Sequence, residues 1–147
     1  MLTTTLLFFA LGAQPIQQFA VDHPTSEKIY TADRQRLVHA SGFLAATGAQ
    51  EPEEAGREFL STYGALFGVT ERQVLVLKTS PAQGEVGAVR FERTIDGLPV
   101  FGGDLVVGVD ANARVLVVNG ADVPPSVSGR HALGEEAAQS AAFSNRL

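Results

Sequence analysis

The chain contains no cysteine among its 147 residues. Disulfide frameworks, thiolate zinc sites and cysteine nucleophiles are therefore excluded. It also lacks any run of like charges that would mark an interaction tail or a polybasic membrane patch. Its formal net charge of -5 disfavours nucleic acid as a partner, because nucleic-acid binding needs a basic face. No stretch of the sequence approaches the apolar length that a transmembrane helix needs.

What the chain does contain is the composition of an ordinary globular protein. Hydrophobic residues make up 45% of it and charged residues 18%. This balance differs from that of disordered chains, which are poor in apolar residues. The length fits one domain, or one domain with a fragment of a second.

The N-terminal stretch MLTTTLLFFALGAQP holds a short apolar run, residues 6–10, followed by Gly12 and Ala13. This order is similar to the later parts of a secretory signal peptide, with cleavage after Ala13. A basic n-region is missing, because the first Lys or Arg of the chain is Lys28. We interpret residues 1–14 as a remnant signal peptide, which predicts a secreted or periplasmic protein of bacterial-type export. The alternative is a first strand or a disordered start.

Residues 52–67 predict the main helix, with one apolar stripe. The stripe consists of Ala55, Phe59, Tyr63 and Phe67. Pro52 suits the first helical turn, and Gly68 suits the left-handed residue that follows a helix. Gly56 and Gly64 each weaken a helix by about 1 kcal/mol relative to alanine, so packing against another element must offset them.

Downstream of this helix the apolar period changes to two, which predicts strands. The predicted strands are residues 74–80, 88–95, 98–110 and 114–120. Asp96-Gly97 predicts a tight hairpin turn, because glycine accepts positive φ without strain. Upstream, residues 36–48 predict two short strands around a bend at Ser41-Gly42. The fold class that follows is α+β, an antiparallel β-meander curled over one main α-helix.

Residues 122–147 predict a linker and the start of a second unit. Pro124, Pro125 and Gly129 mark the linker, and residues 133–143 predict a second short helix at the C-terminus. One helix after a linker cannot bury its own apolar face. It therefore either docks back on the domain or begins a further unit.

The glycine-rich stretch RTIDGLPVFGGDLVVGVD, residues 93–110, does not have the spacing of a phosphate-binding loop. Phosphate loops lie between a strand and a helix N-terminus, whereas strands are predicted on both sides here. The stretch is better explained by backbone geometry. Gly102-Gly103 predicts a bulge that bends a long strand, and Pro99 predicts a strand start at an edge or bulge.

Candidate metal-binding and catalytic residues are scattered along the chain. The histidines are His23, His39 and His131, and none has another ligand at metal-site spacing. The carboxylate pairs are Glu53-Glu54, Glu135-Glu136 and Asp104 with Asp110. The first two pairs suit helix N-termini, and the third pair would lie roughly 20 Å apart along a strand. We therefore expect no enzyme, no metal site and no cofactor.

Residues 88–120 closely resemble the signature of the fungalysin/thermolysin propeptide domain, often called the FTP domain. That signature has an aromatic residue, a basic or glutamine residue, a G-x-P-V-F-G-G core, and alternating strand residues that end in Asn-Gly. The corresponding residues here are Phe91, Arg93, Gly97, Pro99, Val100, Phe101, Gly102, Gly103, Asn119 and Gly120. Residues 53–69 resemble the helix of this family, and residues 41–45 resemble its preceding strand.

The resemblance implies that residues 15–121 form a non-catalytic propeptide module of a secreted zinc metallopeptidase precursor. Such modules are thought to act as folding chaperones and inhibitors of the peptidase domain. The implied partner is a zinc metallopeptidase catalytic domain, in cis or in trans, with no nucleic acid and no membrane span. Residues 122–147 resemble the start of the PepSY-like unit that usually follows. The signature residues are expected to be mainly structural and to present a protease-facing surface.

Two departures from the family pattern concern the chemistry of inhibition. The H-E-x-x-H motif of the catalytic domain is absent from the sequence, and so is nearly all of the second propeptide unit, whose tail reaches the active-site cleft in the family. The sequence therefore does not predict inhibition by blocking of the active-site cleft. The alternative function is a free-standing protein-binding module, either a trans-acting protease inhibitor or a binder of a cell-surface ligand.

Overall fold

A computed structural model describes residues 15–123 and has an α+β fold, which confirms the predicted class. The helices are α1 (Pro15–Asp22) and α2 (Pro52–Tyr63), and a 3₁₀ helix (Gly64–Phe67) continues α2. The strands are β1 (Glu27–Tyr30), β2 (Leu37–Ala45), β3 (Gln73–Thr79), β4 (Gly87–Ile95), β5 (Leu98–Pro99), β6 (Leu105–Val109) and β7 (Val115–Asn119). The predicted signal remnant, residues 1–14, and the predicted helix, residues 133–143, lie outside the described residues.

The seven strands form one antiparallel sheet in the order β1-β2-β7-β6-β4-β3, with β5 paired to β4. Strands β3, β4, β6 and β7 are consecutive neighbours and form the predicted meander. Strand β2 then lies beside β7, although most of the described chain separates them in sequence. The N-terminal hairpin of β1 and β2 thus extends the meander on its β7 side.

Strand β2 is continuous, so the prediction of two short strands around a bend is wrong. Gly42 has a φ of +122°, and the pairing with β7 shifts between Ser41 and Ala45. A Cβ at Gly42 would lie 3.3 Å from the Cα of Ser26. The backbone therefore accommodates the bend as an irregularity within one strand, while the ladder continues on both sides of it.

Helix α2 covers one face of the sheet, which we call the inner face. The alternation of β4 places Val89 and Phe91 on this face, where both are fully buried. The core that they join also contains Phe19, Leu37, Ala40, Leu44, Ala55, Phe59, Leu60, Leu66, Phe67, Leu105, Val107, Val109, Ala113, Val115 and Val118. Phe19 adds α1 to this core, with its ring centroid 5.2 Å from that of Tyr63. The opposite face, the outer face, carries neither of the helices in the described part of the chain.

The C-terminal end of α2 tightens into the 3₁₀ helix, so the observed α-helix is one turn shorter than the predicted one, residues 52–67. Gly68 follows with φ of 76°, the left-handed conformation that its sequence position predicted. Its N–H donates to the Ala65 carbonyl at 3.1 Å, and the Val69 N–H donates to the Gly64 carbonyl at 3.0 Å. This pair of bonds is a Schellman motif, which leaves the carbonyls of the last residues without partners inside the helix.

The Asp96-Gly97 turn has the predicted geometry. Both residues have positive φ, 52° and 80°, which is the signature of a two-residue type I′ hairpin loop. The single strand predicted over residues 98–110 is wrong, because it is divided into β5 and β6. Pro99 pairs with Thr94, and Leu105 pairs with Phe91. Between these two pairs the chain from β5 to β6 has three more residues than β4, so it leaves the ladder there. The bulge predicted at Gly102-Gly103 is therefore a larger excursion.

The turn between β6 and β7 is organised by the carboxylate of Asp110. Its Oδ1 accepts the backbone N–H groups of Asn112 and Arg114, both at 2.9 Å, and its Oδ2 accepts the Arg114 Nε–H at 2.6 Å. These bonds, that of the Arg114 side chain first, hold the pKa of the Asp110 carboxyl below its usual value. Ala113 adopts a φ of 55° in the same turn.

The two helix glycines are expected to respond in opposite ways to alanine. A Cβ at Gly56 would lie 3.0 Å from Cε2 of Phe91, whereas the nearest atom to one at Gly64 would be Cβ of Val69, at 3.4 Å. Gly56→Ala should lower the free energy of unfolding by about 1 kcal/mol, because overpacking exceeds the helix-propensity gain. The matched control, Gly64→Ala, should raise it by up to about 1 kcal/mol. Urea unfolding of both variants measures this, and a stabilising Gly56→Ala would contradict it.

Acid should weaken the fold partly through Asp110. The folded-state pKa is below the unfolded one, so the ionised carboxylate stabilises the fold above the usual aspartate pKa. That contribution is lost as the pH falls from about 4 toward the folded-state pKa. Asp110→Asn should therefore be less stable than the wild type at pH 7 and lose less stability on acidification. Urea midpoints measured from pH 7 to pH 3 test this, and parallel curves for the two proteins would refute it.

Candidate functional site

The residues that carry the sequence signature divide into a buried set and an exposed set. The buried set is Phe91, Arg93 and Gly103, and the exposed set is Gly97, Pro99, Phe101, Gly102 and Asn119, with Val100 and Gly120 half-buried between them. Phe91 packs beside Gly56 of α2, Arg93 contacts the end of the helical segment, and Gly103 supports the loop between β5 and β6. The exposed residues lie at turns, at a strand end and at the tip of that loop.

Arg93 is the largest fully buried side chain in the described part of the chain. It lies on the inner face of β4, where the alternation of the strand would place an apolar residue. Its Nη2 donates to the carbonyl of Phe67 at 3.0 Å, and its Nη1 donates to the carbonyl of Gly68 at 3.4 Å. The Phe67 carbonyl is among those that the Schellman motif leaves free, and the Gly68 carbonyl follows it directly. Arg93 therefore caps the C-terminal end of the helical segment from inside the core.

The charge of Arg93 is stabilised mainly by carbonyl dipoles. The C-terminal end of a helix carries partial negative charge, which attracts a cation. Burial, followed by the like charge of Arg36, lowers the pKa of Arg93 from its ordinary value. An arginine stays protonated at neutral pH even so, because its ordinary pKa is far above 7. Its Nε is buried without a partner among the described residues.

Arg36 binds the last described residues of the chain beside the end of the helical segment. Its Nη1 donates to the carbonyl of Val123 at 3.0 Å, and its Nη2 lies 2.8 Å from Oδ1 of Asp122. Gly68 is enclosed between the two arginines, since a Cβ there would lie 3.5 Å from Cδ of Arg36 and 3.5 Å from Nη1 of Arg93. The last described residues are thus tied to the end of the helical segment.

The Asn-Gly pair that closes the signature joins β7 to this centre. The N–H of Gly120 donates to the carbonyl of Val38 at 2.8 Å. A Cβ at Gly120 would lie 2.9 Å from Cδ2 of Leu105 and 3.7 Å from Cδ1 of Phe67, so the position is tightly packed. Asn119 points outward, and its Oδ1 is hydrogen-bonded to Nδ1 of His39 at 2.6 Å.

Residues 100–104 form the excursion between β5 and β6, which we call the Phe101 loop. The N–H of Val100 donates to the carbonyl of Arg93 at 2.8 Å, and the N–H of Gly103 donates to the carbonyl of Val100 at 2.9 Å. Gly102 has a φ of 69°, as the third residue of a type II turn requires. A Cβ at Gly103 would lie 2.7 Å from Cγ1 of Val100, so the loop requires glycine there too. Phe101 at its tip is fully exposed.

A shallow cleft of about 600 Å³ lies beside the Phe101 loop. Its lining consists of Arg90, Glu92, Pro99, Val100, Phe101, Gly102 and Asp104. Arg90 and Asp104 are joined by hydrogen bonds of 2.6 Å, and Nζ of Lys78 lies 3.2 Å from Oε1 of Glu92. The charges that line the cleft are therefore paired, and its apolar part is contributed by the loop itself.

Within residues 15–123, no three histidine, aspartate or glutamate residues are grouped so that they could hold a metal ion. No helix in this described part is long and apolar enough to cross a membrane. The arrangement can present a surface to another protein.

Sequence reasoning missed both the role of Arg36 and the acceptors of Arg93. A signal for Arg93 was present, since the alternation of β4 placed it with Val89, Phe91 and Ile95 on the apolar face. Its acceptors lie 25 and 26 residues away in sequence, which local patterns do not reveal. Arg36 carried no pattern that distinguishes it from a surface arginine.

Residues 76–121 match the family model described as Fungalysin/Thermolysin Propeptide Motif. The match covers β4 to β7 and most of β3, and it includes every residue of the signature that the sequence suggested. The resemblance to this family is thereby confirmed for that segment, whereas the PepSY-like start is not. No curated protein and no solved structure matches the chain.

Removing Arg93 should destabilise the fold far more than removing its neighbour on the same strand. Arg93→Ala should lower the free energy of unfolding by about 3 kcal/mol or more, because it leaves a cavity and two unpaired carbonyls. Arg93→Lys should lose less, since it keeps the charge without the two-pronged donor. The control is Arg90→Ala, which removes an exposed ion pair worth about 1 kcal/mol or less. Urea unfolding of the three variants tests this ranking, and equal losses for Arg93→Ala and Arg90→Ala would contradict it.

Proposed function

We propose that this chain, whose residues 76–121 carry the propeptide motif, is a non-catalytic propeptide module of a secreted zinc metallopeptidase. It binds the catalytic domain of that peptidase, assists its folding and holds it inactive. The observation that carries the proposal is the motif match, because that motif describes propeptides and not catalytic domains. The partner is a zinc metallopeptidase catalytic domain, supplied in cis or in trans.

The placement of the motif residues supports a role in binding rather than in chemistry. The side chains of Arg93 and Phe91 are buried in the core, where they hold β4 against the helical segment. The exposed residues of the motif other than Asn119 lie in the turn after β4, in β5 and in the Phe101 loop. A module of this kind offers a rigid, preformed surface, which is what a folding template needs in order to bind one state of its client better than others.

The proposal includes the domain division. Residues 15–121 form the propeptide module, and residues 122–147 are a linker and the start of a second, PepSY-like unit. Residues 1–14 are the remnant of the export signal, in agreement with a secreted or periplasmic peptidase. The tie between Arg36 and the carbonyl of Val123 supports a module boundary close to this position, because it fixes where the chain leaves the sheet.

The test is refolding of a client. Each secreted zinc metallopeptidase catalytic domain that the source genome encodes is unfolded without its propeptide and diluted into buffer with or without the 147-residue chain. We expect one of them to recover several-fold more activity with the chain, once excess chain is removed. Binding of the folded catalytic domain, with reduced peptide cleavage, is expected for the same pair.

The Arg93→Ala chain serves as the control for nonspecific effects of added protein, because its composition is nearly identical and its fold is weakened. A gain in recovered activity that is the same with this variant would mean that the fold is not required. If no catalytic domain is refolded, bound or inhibited by the wild-type chain, the proposed function is wrong. Binding and inhibition without assisted refolding would instead identify a trans-acting inhibitor.

A further inference from the structure

We propose that Phe101 is the residue by which this module anchors to the peptidase catalytic domain, with its ring inserted into an uncharged, apolar recess of that domain. The inference rests on the proposed function and adds the contact residue and the chemistry of the partner surface. It is supported by the exposure of the ring, the rigidity of the loop and the charges around it.

Phe101 is more exposed than any other phenylalanine in the described part of the chain. Phe19, Phe59, Phe67 and Phe91 are at most 2% exposed and Phe43 is 59% exposed, whereas Phe101 is fully exposed. A phenyl ring in water makes no hydrogen bonds and gains free energy when it is removed from solvent. Since the ring is not buried against the described part of the fold, the stability of the sheet does not account for a large apolar residue at this position.

Single exposed apolar side chains are common, so exposure alone does not indicate a binding residue. In addition, backbone hydrogen bonds hold the Phe101 loop, which carries the ring. The N–H of Val100 is bonded to the Arg93 carbonyl at 2.8 Å, and the N–H of Gly103 is bonded to the Val100 carbonyl at 2.9 Å. Such a loop loses little conformational entropy on binding, and aromatic residues on rigid supports dominate binding energy in protein interfaces.

The base of the loop is held from the side of the sheet as well. Asp104 ends the loop, and its Oδ2 accepts Nε–H of Arg90 at 2.6 Å, with Nη2 of Arg90 at the same distance. This contact joins the loop to the outer face of β4. The ring thus projects from a surface whose position relative to the sheet is set at both ends of the loop.

The charges around Phe101 determine the chemistry of the partner. The charged residues that line its cleft are already paired, Arg90 with Asp104 and Glu92 with Lys78. A partner that offered charges here would have to break these pairs, whereas an uncharged apolar recess would not. Electrostatic complementarity therefore favours an uncharged site with room for a phenyl ring.

The outer face next to the cleft continues this apolar character. Val76 pairs with Glu92 across β3 and β4, and Val74 pairs with Thr94. Both valines are exposed, and they lie on the outer face of the sheet beside Glu92 and Thr94 of β4. Contact with the catalytic domain can therefore extend from the ring along β3, and this strand is at the edge of the sheet.

The experiment compares Phe101→Ala with a matched phenylalanine variant. The partner is the catalytic domain that the wild-type 147-residue chain binds, and Kd is measured by calorimetry. Phe101→Ala should weaken binding by about tenfold or more, with Phe101→Leu in between. Phe43→Ala, which removes another exposed phenylalanine on β2, separated from the loop by β6 and β7, should stay within about twofold of the wild type. Thermal unfolding should be the same for Phe101→Ala and the wild type, which separates lost binding from lost folding.

Crosslinking gives an independent measurement. A photoreactive benzoyl-phenylalanine placed at position 101 should crosslink to the catalytic domain, at apolar residues that mass spectrometry identifies. An unchanged Kd for Phe101→Ala together with no crosslink would overturn the inference while leaving the proposed function intact. A wild-type dimer that Phe101→Ala dissociates would also overturn it, because the recess would then belong to a second copy. Failure of the wild-type chain to bind any catalytic domain would remove the proposed function and this inference with it.

Discussion

The fold depends on one buried cation at the end of a helical segment. Arg93 lies where the alternation of β4 calls for an apolar residue on the inner face, and it donates to the carbonyls of Phe67, the last helical residue, and of Gly68, which follows it. The cost of burying the guanidinium is offset by these carbonyls and by the negative end of the helix dipole. The helix and the sheet are thereby positioned by a directional contact, which nonpolar packing alone does not provide.

Other features of the signature follow from that contact. The backbone carbonyl of Arg93 accepts the N–H of Val100, so the residue that fixes the helix also fixes the start of the Phe101 loop. Gly120 must be small because it lies between Leu105 and Phe67, whose carbonyl Arg93 binds. The same local arrangement therefore keeps the inner face tightly packed at Gly120 and presents the ring of Phe101 on the other side of the sheet.

The sequence was sufficient for the class of the fold and for its strongest local signals. The apolar stripe of the helical segment, the period of two in β4 and the Asp96-Gly97 turn all depend on neighbours close in sequence, and each is present, although the last turn of the predicted helix is a 3₁₀ helix. The division of residues 98–110 was not predictable, because the alternation of β6 continues across it and Gly102-Gly103 suits a bulge as well as a loop. The exposure of Phe101 was equally hidden, since hydrophobicity alone would place a phenylalanine in the core.

The pairing of β2 with β7 has a consequence for the order in which this protein forms. The two strands meet through residues such as His39 and Asn119, which are 80 positions apart in the chain. During synthesis, β1, β2 and α2 emerge first, but β7, the neighbour of β2 toward the middle of the sheet, is the last of the described strands to appear. Contacts between residues so far apart in sequence form slowly, because the chain loses loop-closure entropy before the contacts can stabilise the fold. The sheet therefore becomes complete only after residue 119 has emerged, so a chain interrupted before that point cannot bury its first strands.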